Sequence, residues 1–220
     1  MLRGAFIVIE GLDRSGKSTQ AAMLVSRLEG ANVPVKLQKF PDRTTPIGKM
    51  IDAYLRSESD LDDHTIHLLF SANRWELAAQ LEETLKAGIT VLCDRYAFSG
   101  IAFSASKGLP YEWCRAPDRS LPAPDLTIFL DIAPEKAMER GGYGDERYEK
   151  EEMQRKVREL FRRMEEEITK DTHGVVGAWT TIDASQDKEA VAQDIWQVVE
   201  PLTDGCSNVI RRLWQQSPIP

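Results

Sequence analysis

Short apolar runs alternate with longer amphipathic stretches along this 220-residue chain. Ala5-Phe6-Ile7-Val8-Ile9 is an unbroken apolar run of strand length, and Val91-Leu92-Cys93 and Ile128-Phe129-Leu130 centre two more. The pattern predicts strands over 5–10, 33–40, 89–94, 126–132 and 179–183. Between and after them it predicts helices over 17–29, 47–56, 63–87, 98–106, 134–140, 149–169 and 188–199. Gly30, Gly88 and Gly174 follow helical stretches, as C-terminal stops do. Strands joined through helix-length connections pair in parallel with right-handed crossovers. The predicted class is therefore α/β, a doubly wound parallel five-stranded sheet with helices on both faces. Ligands of such sheets bind beyond the carboxyl ends of the strands, so the residues after each strand carry the chemistry.

After the first strand comes Gly11-Leu12-Asp13-Arg14-Ser15-Gly16-Lys17-Ser18, which fits G-x-x-x-x-G-K-[ST] at every fixed position. Between a strand and a helix N-terminus, such a loop points backbone N–H groups at one spot, and the helix dipole adds positive charge. Gly11 and Gly16 let the backbone curl around phosphate oxygens, Lys17 can reach the terminal phosphates, and the Ser18 hydroxyl can ligate Mg²⁺. The loop implies a nucleoside triphosphate without saying what it is used for.

Phe40-Pro41-Asp42-Arg43 follows the second strand and Asp94-Arg95-Tyr96 ends the third. Arg43 and Arg95 thus converge on the rim that carries the phosphate loop, and an arginine fork suits a phosphate in shape and charge. Together they suggest a second phosphorylated ligand; surface arginines paired with Asp42 and Asp94 are the alternative. Asp94 stands where a carboxylate holds Mg²⁺ beside a phosphate loop. Asp131 is its rival, but Arg95 accompanies Asp94, whereas Asp131 leads into an ordinary helix start at Pro134. Phe70 and Arg74 project from one face of the helix over 63–87 and can hold a base, or be core and solvated respectively. Arg140-Gly141-Gly142-Tyr143-Gly144-Asp145-Glu146-Arg147-Tyr148-Glu149 reads as a flap that closes over phosphates, or as a plain flexible loop.

Composition narrows this picture. Hydrophobic content of 42% and charged content of 29% suit a soluble globular chain, and the net charge of −7 gives no footprint for a nucleic-acid polymer. An acidic chain that binds phosphates must concentrate its arginines locally. Cys93, Cys114 and Cys206 are odd in number and have no zinc spacing, so reduced thiols and a cytoplasmic setting are expected. The first strand begins too near Met1 to leave room for a cleaved leader, and no apolar run reaches the length of a membrane span. His64 and His67 lie one helical turn apart; beside Asp62 and Asp63 they read as a solvated helix start rather than a metal pair. Expected organisation is a single phosphate-loop domain over 1–206 with the flap at 140–150, and a tail over 207–220. In the tail Val209, Ile210, Leu213 and Trp214 share one helical face, which suits packing onto the body better than capture of a partner.

With these residues assembled, the chain resembles the thymidylate kinases of eukaryotic type. The match runs from about Phe6 to Val199. It rests on Glu10 to Thr19, on Phe40-Pro41-Asp42-Arg43, on His67-Leu68-Leu69-Phe70-Ser71-Ala72-Asn73-Arg74-Trp75-Glu76, on Asp94-Arg95-Tyr96-Ala97-Phe98-Ser99-Gly100 and on Glu146-Arg147-Tyr148-Glu149. The resemblance implies transfer of the ATP γ-phosphoryl group to dTMP with Mg²⁺ on Ser18 and Asp94, ATP and dTMP as ligands, and a homodimer to which the 63–87 helix contributes. It implies that Phe70 stacks on thymine, Arg74 donates to its O4, and Arg43 and Arg95 hold the dTMP phosphate. Asp13 would meet the 3′-hydroxyl region and order Arg43, Tyr148 would crowd the sugar 2′ position, and Phe40, Ser99, Gly100 and Phe103 would line the pocket. On the donor side it implies ATP contacts from Gly11, Arg14, Ser15, Gly16, Lys17, Ser18 and Thr19, with Arg140, Asp183 and Ser185 flanking adenine. Arg14 is the distinctive catalytic candidate, with Lys17, Asp13 and Arg95. Ser106-Lys107-Gly108-Leu109-Pro110 departs from the family pattern, and the tail lies beyond it.

Overall fold

Phe6–Gly11 (β1), Val35–Lys39 (β2), Thr90–Asp94 (β3), Leu126–Asp131 (β4) and Ala178–Asp183 (β5) form one all-parallel sheet in the order β2-β3-β1-β4-β5. This is a computed structural model, and it describes residues 2–140, 147–170 and 177–215. Residues 141–146 of the expected flap, Gly174, and 216–220 of the tail lie outside the described residues. Helices connect the strands: Lys17–Gly30 (α1), Pro46–Leu55 (α2), Asp63–Lys86 (α3), Ala97–Ala105 (α4), Tyr111–Arg115 (α5), Pro134–Met138 (α6), Glu151–Lys170 (α7) and Lys188–Val199 (α8).

β1 is buried on both faces, and apolar up to Glu10, because it lies at the centre of the sheet, where both faces are covered. Phe6 and Val8 enter one core with Ile51 and Tyr54 of α2, Ile66 and Leu85 of α3, Phe98 and Ile101 of α4, and Val157 and Phe161 of α7. Ala5, Ile7 and Ile9 enter the other with Leu24 and Leu28 of α1 and Val191, Ile195 and Val199 of α8. The period-two alternation of one strand thus divides the protein into its two layers of helices.

Helix starts follow side-chain chemistry. The Asp62 carboxylate accepts from the amides of His64 and Thr65 and caps α3, and Thr45 accepts from Gly48 N and caps α2. His67, expected with His64 in a solvated start, is instead fully buried. Its ring lies between the Ser104 hydroxyl (2.8 Å) and the Cys114 carbonyl (2.9 Å), against Trp113. Only a donor can face that carbonyl, so Nε2 carries the proton and Nδ1 accepts from Ser104. Burial pushes the ring pKa down, which keeps it neutral.

Two segments depart from the sequence pattern. α5 and the 3₁₀ turn Ala116–Asp118 occupy a stretch where no element is expected, being too short to show a helical period. The tail has no helix among its described residues; it runs extended, with Ala123 N bonded to Arg211 O and Leu213 N to Leu121 O. Leu213 is fully buried and Ile210 and Trp214 pack against the core, so the tail packs onto the body as expected, whereas Val209 stays 81% exposed.

Candidate active site

β1 runs directly into the phosphate loop. A Cβ at Gly11 would lie 2.6 Å from Ser15 Oγ and 2.9 Å from Leu130 O, so no side chain fits there. Arg14 and Gly16 take left-handed φ values of 61° and 96° to close the turn. Gly16 caps α1 without a side chain, leaving the helix amides open to a ligand, with Ser18 and Thr19 exposed in the first turn. Lys17 Nζ is buried and donates to Leu12 O at 2.5 Å. Burial, then the charge of Arg95, pushes its pKa down to about 8. Ser18 Oγ donates to Asp94 Oδ2 at 2.6 Å, placing two hard oxygen donors together. Asp131, the rival carboxylate, is taken up by two bonds from Arg158, at 2.6 and 2.8 Å. No group of three or more metal-ligating side chains occurs among the described residues.

Arg95 joins the loop to the neighbouring strand end. Its backbone has φ 68° and its amide donates to Ile9 O, 2.9 Å away. Its guanidinium donates to Gly11 O (3.1 Å), to Ser99 Oγ (3.1 Å) and to the Asp13 carboxylate. Asp13, expected beside Arg43, therefore pairs with Arg95, while Arg43 is bonded to Asp52 at 2.6 Å. Gln154 of α7 grips Asp13 twice, through its backbone amide (3.1 Å) and its carboxylate (2.7 Å), and also donates to Tyr148 O. Glu10 is fully buried and accepts from the Tyr96 and Ser99 amides and from the Ser99 hydroxyl, so it serves as the cap of α4. Burial pushes its carboxyl pKa up, opposed by these bonds and by Arg95.

Beside this corner opens a cleft. Asp13, Phe40, Arg43, Phe70 and Arg74 line it, as do Arg95, Ser99, Gly100, Phe103 and Tyr148, so every residue expected on the acceptor side is brought together. Buried Asn73 holds the loop after β2, accepting from Asp42 N (2.7 Å) and donating to Asp42 O and Thr45 Oγ1. Arg74 is only 3% exposed and is bonded to fully buried Asp118. A Cβ at Gly100 would lie 2.8 Å from Arg74 NH2, so glycine there makes room for the guanidinium. Phe103 stacks on Tyr148 (5.5 Å between centroids) with Arg95 5.3 Å from its own ring. Lys107, in the stretch that departs from the family pattern, lies 4.6 Å from the Tyr148 ring and bonds to Tyr54 and Asp63.

On the donor side Arg14 pairs with Glu149 at 3.1 Å. Arg140 reaches across the phosphate loop to Ser15 O (3.0 Å) and on to Ala184 O, so it meets the turn at Asp183 and Ser185. Several positioning groups carry no assigned role in the sequence. Glu10, Asn73 and Glu149 lie inside the recognisable motifs, whereas Gln154 and Asp118 are marked by no local pattern.

Fold and site together define a phosphate-loop kinase of the nucleotide-phosphorylating class. The sequence profile of the family described as thymidylate kinase matches residues 9–195. The chain is 54% identical to the thymidylate kinase of Schizosaccharomyces pombe, over 90% of this chain and 92% of that one. It is 53% identical to that of Arabidopsis thaliana, over 93% of this chain and 74% of the relative. The thymidylate kinase structure from Candida albicans superposes with a TM-score of 0.86 at 38% identity, covering 96% of this chain and 99% of that one. The chain belongs to the thymidylate kinase family. No helix among its described residues is long and apolar enough to cross a membrane.

The buried lysine gives a test of the site's electrostatics. Its folded pKa of about 8 lies below the ordinary 10.5, so the charged form costs stability below pH 8 and that cost is relieved as pH rises toward 10.5. Denaturant unfolding of the nucleotide-free wild type and Lys17→Met should show the wild type gaining about 2 kcal/mol relative to the variant between about pH 7 and pH 9.5. A stability difference independent of pH would contradict the buried charge.

Proposed function

We infer that this chain transfers the γ-phosphoryl group of ATP to dTMP, giving dTDP and ADP in the synthesis of dTTP. The observation that carries this reading is the one cleft lined both by Arg43, Arg95 and Asp13 of the phosphate loop and by Phe70 and the buried Arg74. A phosphate and a base on one acceptor fit those two ends.

In this reading Lys17 and the open amides of α1 hold the donor phosphates. Arg140 and the turn at Asp183 and Ser185 flank adenine. Ser18 and Asp94 would hold Mg²⁺, which would supply positive charge to neutralise the donor phosphates. Arg95 and Arg43 hold the acceptor phosphate; its oxygen is already an anionic nucleophile, so transfer needs no general base. Charge spreads over the equatorial oxygens of the transferring group, and Arg14 stabilises it there. Asp13 orients Arg95 and meets the 3′-hydroxyl region. Phe70 stacks on thymine, Arg74 donates to its O4, and Tyr148, held by Phe103 and Lys107, crowds the 2′ position. Phe40, Ser99 and Gly100 complete the wall.

The same reading makes the enzyme a cytoplasmic homodimer. Three cysteines free of disulfides suit a reducing compartment. Leu68 and Trp75 lie seven residues apart on α3, 47% and 41% exposed, and an apolar pair on one helix face suits a second copy.

ADP release should be measured across a panel of nucleoside monophosphates with thymidine as the hydroxyl control. We expect dTMP to be preferred, thymidine to be inert, and Lys17→Ala to abolish turnover. Arg14→Ala should lower kcat by about a thousandfold while KM for dTMP changes little, since its contact strengthens in the transition state. Turnover of thymidine, or a rise in KM alone for Arg14→Ala, would contradict this. By light scattering the protein should have twice the mass of the 24.8 kDa chain, and Leu68→Glu/Trp75→Glu should halve it. A wild-type monomer would rule out the dimer.

A further inference from the structure

Arg74 and Asp118 form the most deeply buried of the ion pairs that line the cleft, and the second member belongs to no sequence motif. Asp118 sits at the end of the 3₁₀ turn after α5 and is fully buried. Its Oδ1 accepts from Arg74 Nε (3.1 Å) and from the Ser71 hydroxyl (2.8 Å), and its Oδ2 accepts from Arg74 NH2 (2.6 Å). The carboxylate therefore grips one edge of the guanidinium and fixes its plane. NH1, at the other end, has no hydrogen-bond partner among the described residues, on a side chain that lines the cleft.

The segment that carries Asp118 is anchored to the same helix that carries Arg74. Trp75 Nε1 donates to Pro117 O at 2.8 Å, and His67 donates to Cys114 O. α3 thus fixes both the arginine and the support for its carboxylate. Charge matters as much as direction. Arg74 and Asp118 cancel, and His67 beside them is neutral, so the deep end of the cleft presents directed donors without net charge. That suits an uncharged base whose edge carries an acceptor.

We propose that Asp118 is the positioning residue that makes Arg74 a reader of the base edge: it turns the NH1 end toward the cleft and cancels the buried charge. Discrimination between a pyrimidine with a 4-oxo group and one with a 4-amino group then depends on Asp118 as it does on Arg74. The proposal rests on the reading that the base of dTMP lies against Phe70 and Arg74.

The test compares kcat/KM for dTMP and dCMP in the wild type, Arg74→Ala, Asp118→Asn and the double variant, with KM for ATP alongside. Asparagine keeps the shape and one acceptor but removes the charge and the second acceptor. Asp118→Asn should lower the dTMP-to-dCMP ratio by about tenfold, mainly through KM for dTMP, with KM for ATP changed by less than about twofold. Arg74→Ala should lower the ratio at least as far, and the double variant should fall no lower than Arg74→Ala alone. A ratio lost in Arg74→Ala but kept in Asp118→Asn, or losses that multiply in the double variant, would overturn the proposal and leave the base-edge reading intact. A ratio unchanged in Arg74→Ala would overturn that reading and the proposal with it. If Asp118→Asn does not fold by circular dichroism, Arg74→Lys carries the test. Lysine keeps the charge near Asp118 but has no fork to be oriented, so the ratio should fall by about tenfold. A lysine enzyme with the wild-type ratio would overturn the proposal.

Discussion

One ion pair sets the frame for everything else: Asp13 of the phosphate loop with Arg95 at the end of the neighbouring strand. It exists because β1 and β3 are adjacent, parallel and in register, with Ile9 opposite Asp94. β3 ends at that pair while β1 runs two residues further to Gly11, so the phosphate loop leaves just beyond Arg95 and the two loops stand side by side. Arg95 is drawn further into the corner by its bonds to Ile9 O and Gly11 O, at a left-handed φ that no glycine relieves. Glu10 pins the start of α4 from beneath, and Gln154 ties Asp13 to α7 and to Tyr148. The phosphate loop, Arg95 and, through Gln154, Tyr148 thus meet at one carboxylate, and the sheet sets their spacing.

The arginines that line the cleft and the phosphate loop of this acidic chain each have a carboxylate partner. Arg95 has Asp13, Arg43 has Asp52, Arg74 has Asp118 and Arg14 has Glu149. The carboxylate fixes the direction of the guanidinium and lowers the local net charge. The consequences differ with depth. Arg43–Asp52 is the most open of the four, so water screens it and a phosphate can compete for the arginine at small cost. Arg74–Asp118 is dry, and removing one partner would strand the other charge without water. The first suits a group that must bind and release a charged ligand, the second a group that must not move.

How much of this is legible in the sequence depends on the range of the interactions involved. The phosphate loop, the strand ends and the Phe70 and Arg74 pair are local patterns, and the structure has them where the periodicity predicts. All five strands lie within about two residues of their predicted bounds; β1, β3 and β4 are apolar runs bounded by polar turns, whereas β2 and β5 at the sheet edges mix apolar and polar residues. His67 defies its local pattern because its neighbours in sequence are acidic and solvated, while its burial is decided by Trp113 and Ser104, distant in the chain. Asp118 and Gln154 are invisible for the same reason: each acts on a residue far away in sequence, 44 and 141 positions respectively. The tail misleads differently. Its apolar spacing fits a helix, but pairing with Leu121 and Ala123 in extended form satisfies its backbone and buries Leu213.

The central claim, that the corner built on Asp13 and Arg95 receives the phosphate of the acceptor, is tested most directly by calorimetry with dTMP and thymidine, which differ only in that phosphate. The account predicts that wild-type protein binds dTMP far more tightly than thymidine. Arg95→Gln should erase about ten- to hundredfold of that preference, the worth of a charge-assisted fork, while affinity for thymidine and for a non-hydrolysable ATP analogue stays near wild type. An Arg95→Gln protein that keeps the full preference for dTMP over thymidine would contradict it.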